Sequence, residues 1–235
     1  MIQIYPAKQL GQTDYGWLKA RYHFSFARYI DRNKMGVPPL RVWNDDRIQP
    51  QSGFPLHSHR NMEIITYVLD GAITHEDNLG NKGRIAAGQV QVMSAGSGIM
   101  HSEYNREPDV THLFQIWLEP NRDNISPRWE TISLPDDDNT TILIVSGRQL
   151  HREEKMIRLN QDAALYVLRA GKNHVASLPD MSDRQGYGVV SRGRFAFRKF
   201  LLHPGDGFYI SGEAEFSLKG RVDTSEMVFV DLPPK

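Results

Sequence analysis

Cysteine is absent from the 235 residues of this chain. Its absence excludes disulfide scaffolds, thiolate metal sites and cysteine nucleophiles together, so any metal has to be held by His, Asp or Glu. An excess of either charge is missing too: 28 Lys and Arg balance 28 Asp and Glu. With no global field to draw phosphates or anionic lipid, no direct nucleic-acid partner and no membrane partner is expected. No apolar run approaches the roughly 18 residues that a bilayer span needs. The opening MIQIYPAKQLGQTDYGW has neither the basic stretch nor the continuous apolar segment of a secretory leader, which makes the cytoplasm the expected location. Sustained helical periodicity is also scarce.

What the chain does hold is a series of short apolar segments between turn signals. They are Leu40 to Trp43, Ile64 to Leu69, Val90 to Met93, Leu113 to Leu118, Ile142 to Val145, Leu165 to Leu168, Tyr187 to Val190, Phe195 to Leu202, Gly207 to Ile210 and Met227 to Leu232. All are strand-length, rich in Val, Ile, Phe and Tyr, and bounded by Gly, Asp, Asn and Pro, as in an antiparallel sandwich or barrel. Thr74 to Asn81 fits a hairpin turning around Asn78 to Asn81. A weak repeat adds organisation: Tyr67-Val68-Leu69-Asp70-Gly71 leads to Ala87-Gly88-Gln89-Val90, and Val189-Val190-Ser191-Arg192-Gly193 leads to Pro204-Gly205-Asp206-Gly207. Each copy reads as strand, Gly turn, hairpin, then a second Gly turn feeding a strand. The expectation is an all-β chain of two tandem small β-barrels, spanning 1–130 and 131–235, with the boundary in the polar stretch from Asn121 to Asn139.

The chemistry gathers in the first half. His57-Ser58-His59 precedes the segment from Ile64, and on a strand residues i and i+2 project from one face, so both imidazoles can aim at one point inside a barrel. His101-Ser102-Glu103 offers a second such pair, an imidazole and a carboxylate. Three His and one carboxylate suit a single first-row divalent ion. Glu63 competes for the carboxylate position, and alternation does not exclude it because His57, His59 and Glu63 share odd parity. Glu103 is favoured as the ligand, with Glu63 orienting an imidazole N–H from behind. His23, Phe24, Phe26, Met62, Met93, Met100 and Phe114 are candidates for lining an apolar slot, and each equally suits core packing. His151, His174 and His203 form no such pair in the second half.

These residues carry a family resemblance. Gly53-x3-His57-x-His59-x3-Glu63-x7-Gly71 resembles the first cupin motif, and Gly88 through His101-x3-Asn105 resembles the second. The strings GWLKARYHFSFARY, LRVWNDDRI, HSHRNMEIITYVLDG, LGNKG, AAGQVQVMSAGSGIMHSEYN and QIWLEP resemble the bacterial pirin-like proteins across nearly all of residues 11 to 120. The resemblance implies a bicupin of jelly-roll barrels. Its N-terminal barrel would hold one metal on His57, His59, His101 and Glu103, and its C-terminal barrel would have lost its ligands. The metal it implies is usually iron, with copper, nickel, manganese or zinc also acceptable to such ligands. The activity it implies is quercetin 2,3-dioxygenase chemistry on a flavonol and dioxygen, with Glu103 as general base. The alternative it carries is a metal- or redox-sensing protein that binds a transcriptional or metabolic partner. His-Ser-His stands where the family often has His-Pro-His, and the spacer Ser97 to Met100 before His101 is longer than in ordinary cupins.

Overall fold

The computed structural model describes residues 1–152, 156–213 and 216–235. Every apolar segment named above lies in a strand, and the helical content among the described residues is limited to the short turns Ala7–Gln9 and Gln149–His151. The expectation of an all-β chain therefore holds. One segment is subdivided: Phe195 to Leu202 forms a hairpin of Phe195–Phe197 and Phe200–Leu202, because Arg198 turns the chain at φ 50°. The hairpin expected around Asn78 to Asn81 is present, with Ala72–Asp77 paired to Lys82–Ala86.

Two compact units are resolved, Gly11–Leu134 and a second made of Pro135–Lys235 together with Met1–Leu10. The first ten residues, assigned from sequence to the first barrel, thus belong with the second, because Ile2–Tyr5 pairs with Gly207–Glu213. Each unit holds a seven-stranded and a four-stranded sheet. The turn glycines of the repeat, Gly71 and Gly88 in one copy and Gly193 and Gly205 in the other, all adopt positive φ between 66° and 83°, where a side chain is disfavoured. Equivalent turns therefore recur in both units.

In Gly11–Leu134 the larger sheet places Arg128–Ser133, Gln89–Ser94, Glu63–Asp70, Thr111–Leu118, Leu40–Ile48, Leu18–Tyr22 and Gly11–Asp14 side by side. The smaller orders Ser52–His59, Ile99–Asn105, Ala72–Asp77 and Lys82–Ala86. Glu63–Asp70 is buried along its length except for Asp70, which explains why Ile64 to Leu69 reads as a nearly unbroken apolar run. Leu18, Ala20, Ile48, Val68 and Leu113 of the larger sheet pack with Ile73 and Ile85 of the smaller. In the other unit the interior is aromatic, with Phe208 stacked between Phe216 at 5.3 Å and Phe229 at 5.9 Å.

Candidate metal centre

Ser52–His59 and Ile99–Asn105 run antiparallel, and their register sets His101 opposite His57 and Ile99 opposite His59. Alternation then turns His57, His59 and His101 to one face. Their rings meet as a triangle, 4.8 Å between His57 and His59, 4.4 Å between His57 and His101 and 5.0 Å between His59 and His101. One nitrogen from each lies within 4.8 Å of the others. His57 Nδ1 is 2.7 Å from the Pro55 carbonyl oxygen; since a carbonyl only accepts, that nitrogen carries the proton and Nε2 keeps its lone pair. His101 is buried and its Nε2 has no hydrogen-bond partner among the described residues, an arrangement that costs free energy unless something else takes up the lone pair.

Burial, followed by the neighbouring His101 and His57, lowers the pKa of His59 to about 4. Burial, followed by His57 and His75, lowers that of His101 to about 3. Both rings are therefore neutral at physiological pH, as a ligating imidazole must be. Three converging imidazoles, one with an orphaned buried nitrogen, fit a divalent transition metal.

Glu103 stands beyond a break in the strand register between His101 and Glu103. It does not join the triangle; its oxygen groups instead with His101 and His75. Two Trp–Gln pairs hold it. Trp129 Nε1 donates to Gln91 Oε1 at 2.7 Å and Gln91 Nε2 donates to Glu103 Oε1 at 3.2 Å. Trp117 Nε1 donates to Gln115 Oε1 at 3.1 Å and Gln115 Nε2 donates to Glu103 Oε2 at 2.8 Å. Thr66 Oγ1 adds a longer contact to Oε1 at 3.5 Å. Each indole fixes which end of its glutamine amide faces the carboxylate.

Glu63 is buried at the start of its strand, where Ser94 Oγ donates to its Oε2 at 2.9 Å; neither group of metal-capable side chains includes it. A cavity of about 150 Å³ opens beside the triangle, lined by His57, His59, Glu103, Gln115, Asn44, Asp46, Leu18, Tyr22, Phe26, Phe54 and Trp117. Of the sequence candidates for its walls, Phe26 lines it. Met100 is exposed and lines an outer cleft with Ser58, His59 and Arg60. The rest do not line the cavity: Met62 packs against the buried cluster of Ile64, Met93 and Ile99, Phe114 packs on Trp43, and Phe24 is buried. His23 is buried near Trp43 and its pKa falls to about 3 through desolvation.

Sequence reasoning missed His75, Gln91, Gln115, Asn44 and Asp46. His75 is fully buried, stacked on Trp129 at 5.2 Å, with Nε2 3.0 Å from Asp77 Oδ2 and Nδ1 3.3 Å from His101 Nδ1. Its sequence signal was another alternating pair, His75-x-Asp77, in the strand that the register places against His101 and Glu103. In the second unit His151 lies between Ser146 Oγ and the Tyr166 hydroxyl, while His174 and His203 are exposed. Among the described residues, side chains able to hold a metal gather only within Gly11–Leu134.

Residues 4–118 match the Pirin family model and residues 143–232 match one described as the quercetinase C-terminal cupin domain. The chain is 46% identical over 233 residues to a pirin-like protein of Caulobacter vibrioides, covering 98% of this chain and 99% of that one. It is 37% identical over 239 residues to a quercetin 2,3-dioxygenase of Escherichia coli K12, covering both chains completely. Among solved structures it resembles a bacterial pirin from Escherichia coli in complex with nickel(II), with TM-score 0.92, 37% identity and full coverage of both chains. The two-unit all-β architecture is thus the bicupin fold, and the chain belongs to the pirin family.

Proposed function

We propose that this chain is a metal-dependent dioxygenase that opens flavonols of the quercetin type, with His57, His59, His101 and Glu103 holding one divalent ion. The observation that carries this reading is the junction of the imidazole triangle with a cavity whose walls are largely aromatic and apolar. A sensor that bound only a protein partner would need no enclosed space at its metal, and the cavity favours the enzyme. The quercetin dioxygenase name of the Escherichia coli relative supports the substrate class.

When bound, the ion supplies Lewis acidity toward the substrate's 3-hydroxyl and access to dioxygen chemistry. The protein contributes the rest. Phe26, Phe54 and Trp117 are half-buried at the cavity wall and present apolar faces for an aromatic ring. Pockets for drug-sized ligands run to about 300–1,000 Å³, so the enclosed volume takes one ring and the remaining rings lie beyond these aromatic side chains. Glu103 lines the cavity with a carboxylate fixed from behind by Gln91 and Gln115, in position to take the proton of the 3-hydroxyl. Trp117 sits edge-on to His59 at 4.9 Å and restricts water there.

The test is aerobic incubation of metal-loaded protein with quercetin. Oxygen uptake, bleaching of the flavonol absorbance and release of carbon monoxide are expected, and all three should disappear in His59→Ala or on chelation. A fully metallated preparation that leaves quercetin untouched under air overturns the reading.

A further inference from the structure

Five neighbouring strands of the larger sheet place one residue each at the same level of the barrel wall. The register runs Gln91 beside Thr66, Thr66 beside Gln115, Gln115 beside Asn44, and Asn44 beside Tyr22. All five are buried. A polar row through a barrel interior has to be satisfied within the protein or by something bound. Gln91, Thr66 and Gln115 are committed to Glu103. Asn44 is not: its Oδ1 has no hydrogen-bond partner among the described residues.

Two residues along the same strand, Asp46 repeats the pattern. It is 1% exposed, its Oδ1 also has no partner among the described residues, and it lines the same cavity. The intervening Asp45 shows what a structural carboxylate does on this strand. It points to the other face, accepts from His112 Nε2 at 2.7 Å and pairs with Arg47 at 3.1 Å and Arg21 at 3.5 Å. Asn44 and Asp46 sit on the larger sheet, whereas His57, His59, His101 and Glu103 sit on the smaller. Asn44 and Asp46 from the larger sheet and His57, His59 and Glu103 from the smaller therefore line one cavity, which has room for a single ring.

We propose that Asn44 and Asp46 form a hydroxyl-recognition subsite, which selects ligands whose ring bears a hydroxyl group at the end remote from the edge that chelates the metal. The proposal deepens the dioxygenase reading and rests on its metal centre. Burial, reinforced by Asp45 and Glu103, pushes the Asp46 carboxyl well above its usual range, which favours the protonated form, able both to donate to and to accept from a hydroxyl. Asn44 Oδ1 accepts. A hydroxyl held between them satisfies both, and an analogue with a methyl group there leaves both orphaned, the situation in which binding sites discriminate most steeply.

Two hydroxypyranones isolate the effect. Kojic acid and allomaltol share the ring and the chelating hydroxyketone edge, and differ in a remote hydroxymethyl against a remote methyl. Dissociation constants from nickel-loaded protein are read from the change in pyranone absorbance, with metal content measured in the same samples. Kojic acid should bind about tenfold or more tighter than allomaltol, and in Asn44→Val and Asp46→Leu that preference should vanish while allomaltol binding changes little. If the leucine variant does not fold, Asp46→Ala, which removes both donor and acceptor, takes its place, and the parent comparison needs no variant. Equal affinities in the metal-loaded parent, or a preference that survives both substitutions, overturn the proposal and leave the metal centre standing. A chain that takes up no metal overturns the metal centre and the proposal together.

Discussion

His75 Nδ1 and His101 Nδ1 lie 3.3 Å apart, in a chain that begins at a carboxylate. Asp77 Oδ2 accepts from His75 Nε2 at 3.0 Å; in the neutral imidazole this leaves His75 Nδ1 with a lone pair, so that His101 carries its proton on Nδ1 and presents Nε2 unprotonated. That Nε2 is the buried nitrogen without a partner. Asp77 is itself fixed by the hairpin turn, accepting from the backbone N–H groups of Leu79 and Asn81, each at 3.0 Å. The turn Asn78 to Asn81 thus sets the tautomer of a candidate metal ligand.

Breaking this chain should weaken the metal site without removing a ligand. His75→Phe is expected to lower metal affinity by about 10–100-fold, the range for loss of a group that orients a ligating imidazole. His75→Gln should lose less, because its amide oxygen can still accept from His101. Competition with a chromogenic chelator measures both. Unchanged affinity in His75→Phe would reduce His75 to a packing partner of Trp129.

The triangle itself makes a stricter claim. Elemental analysis should find one metal per chain, lost in His57→Ala and in His101→Ala and retained in His174→Ala, whose imidazole is exposed in the other unit. Intact stoichiometry after removal of either triangle histidine would move the site elsewhere, and two metals per chain would contradict an empty second barrel.

Glu103 and Glu63 separate in the same assay. Glu103→Gln keeps the shape but removes the charge and presents a second amide to Gln91 and Gln115, so metal affinity should fall by more than about 100-fold. Glu63→Gln touches a carboxylate whose Oε2 is bonded to Ser94, and its effect should stay within the milder range. Equal losses, or the reverse order, would give the ligand role to Glu63.

The strands, both repeat turns and the imidazole triangle were legible because each rests on local pattern: period-two alternation, glycine at positive φ, and i, i+2 spacing. The cavity walls were not, since Phe114 and Met93 are chemically as good a lining as Phe26 and only the register separates wall from core. Asn44 and Asp46 carried a signal, the polar run Asn44 to Arg47 inside the strand Leu40–Ile48, but which of its residues face inward depends on pairing with Leu18–Tyr22 and Thr111–Leu118. The placement of Met1–Leu10 with the second unit is likewise a long-range pairing that no local feature announces.

Acid sensitivity of the metal-free protein should trace in part to His23. Desolvation lowers its pKa from 6.5 to about 3. The folded state therefore refuses a proton that the unfolded chain accepts below about pH 6.5, and stability falls as pH drops from there toward about 3, by up to about 1.4 kcal/mol per pH unit. Above that window the group contributes nothing. His23→Phe removes this one proton, so its stability should decline less steeply than the parent's in denaturant titrations across the window. Parallel curves would show that His23 takes up its proton in the folded state.

Gly53 tests how closely the two strands that carry the candidate ligands must approach. It pairs with Tyr104 in the ladder that also aligns His57 with His101, and a Cβ at this position would lie 2.2 Å from the Glu103 carbonyl oxygen and 2.5 Å from Tyr104 Cα. Both neighbours are backbone, so no side-chain rotation relieves the clash; the strands have to separate beside the register break that turns Glu103 into the cavity. Gly53→Ala should therefore cost stability, about 1–3 kcal/mol as for other overpacked sites, and should also weaken metal binding although every ligand remains. Denaturant unfolding of the metal-free protein gives the first quantity and chelator competition the second. Lost stability with unchanged metal affinity would mean that the separation is absorbed near Ser52 and does not reach His57 and His101; unchanged stability would mean that the strands lie further apart than this ladder requires.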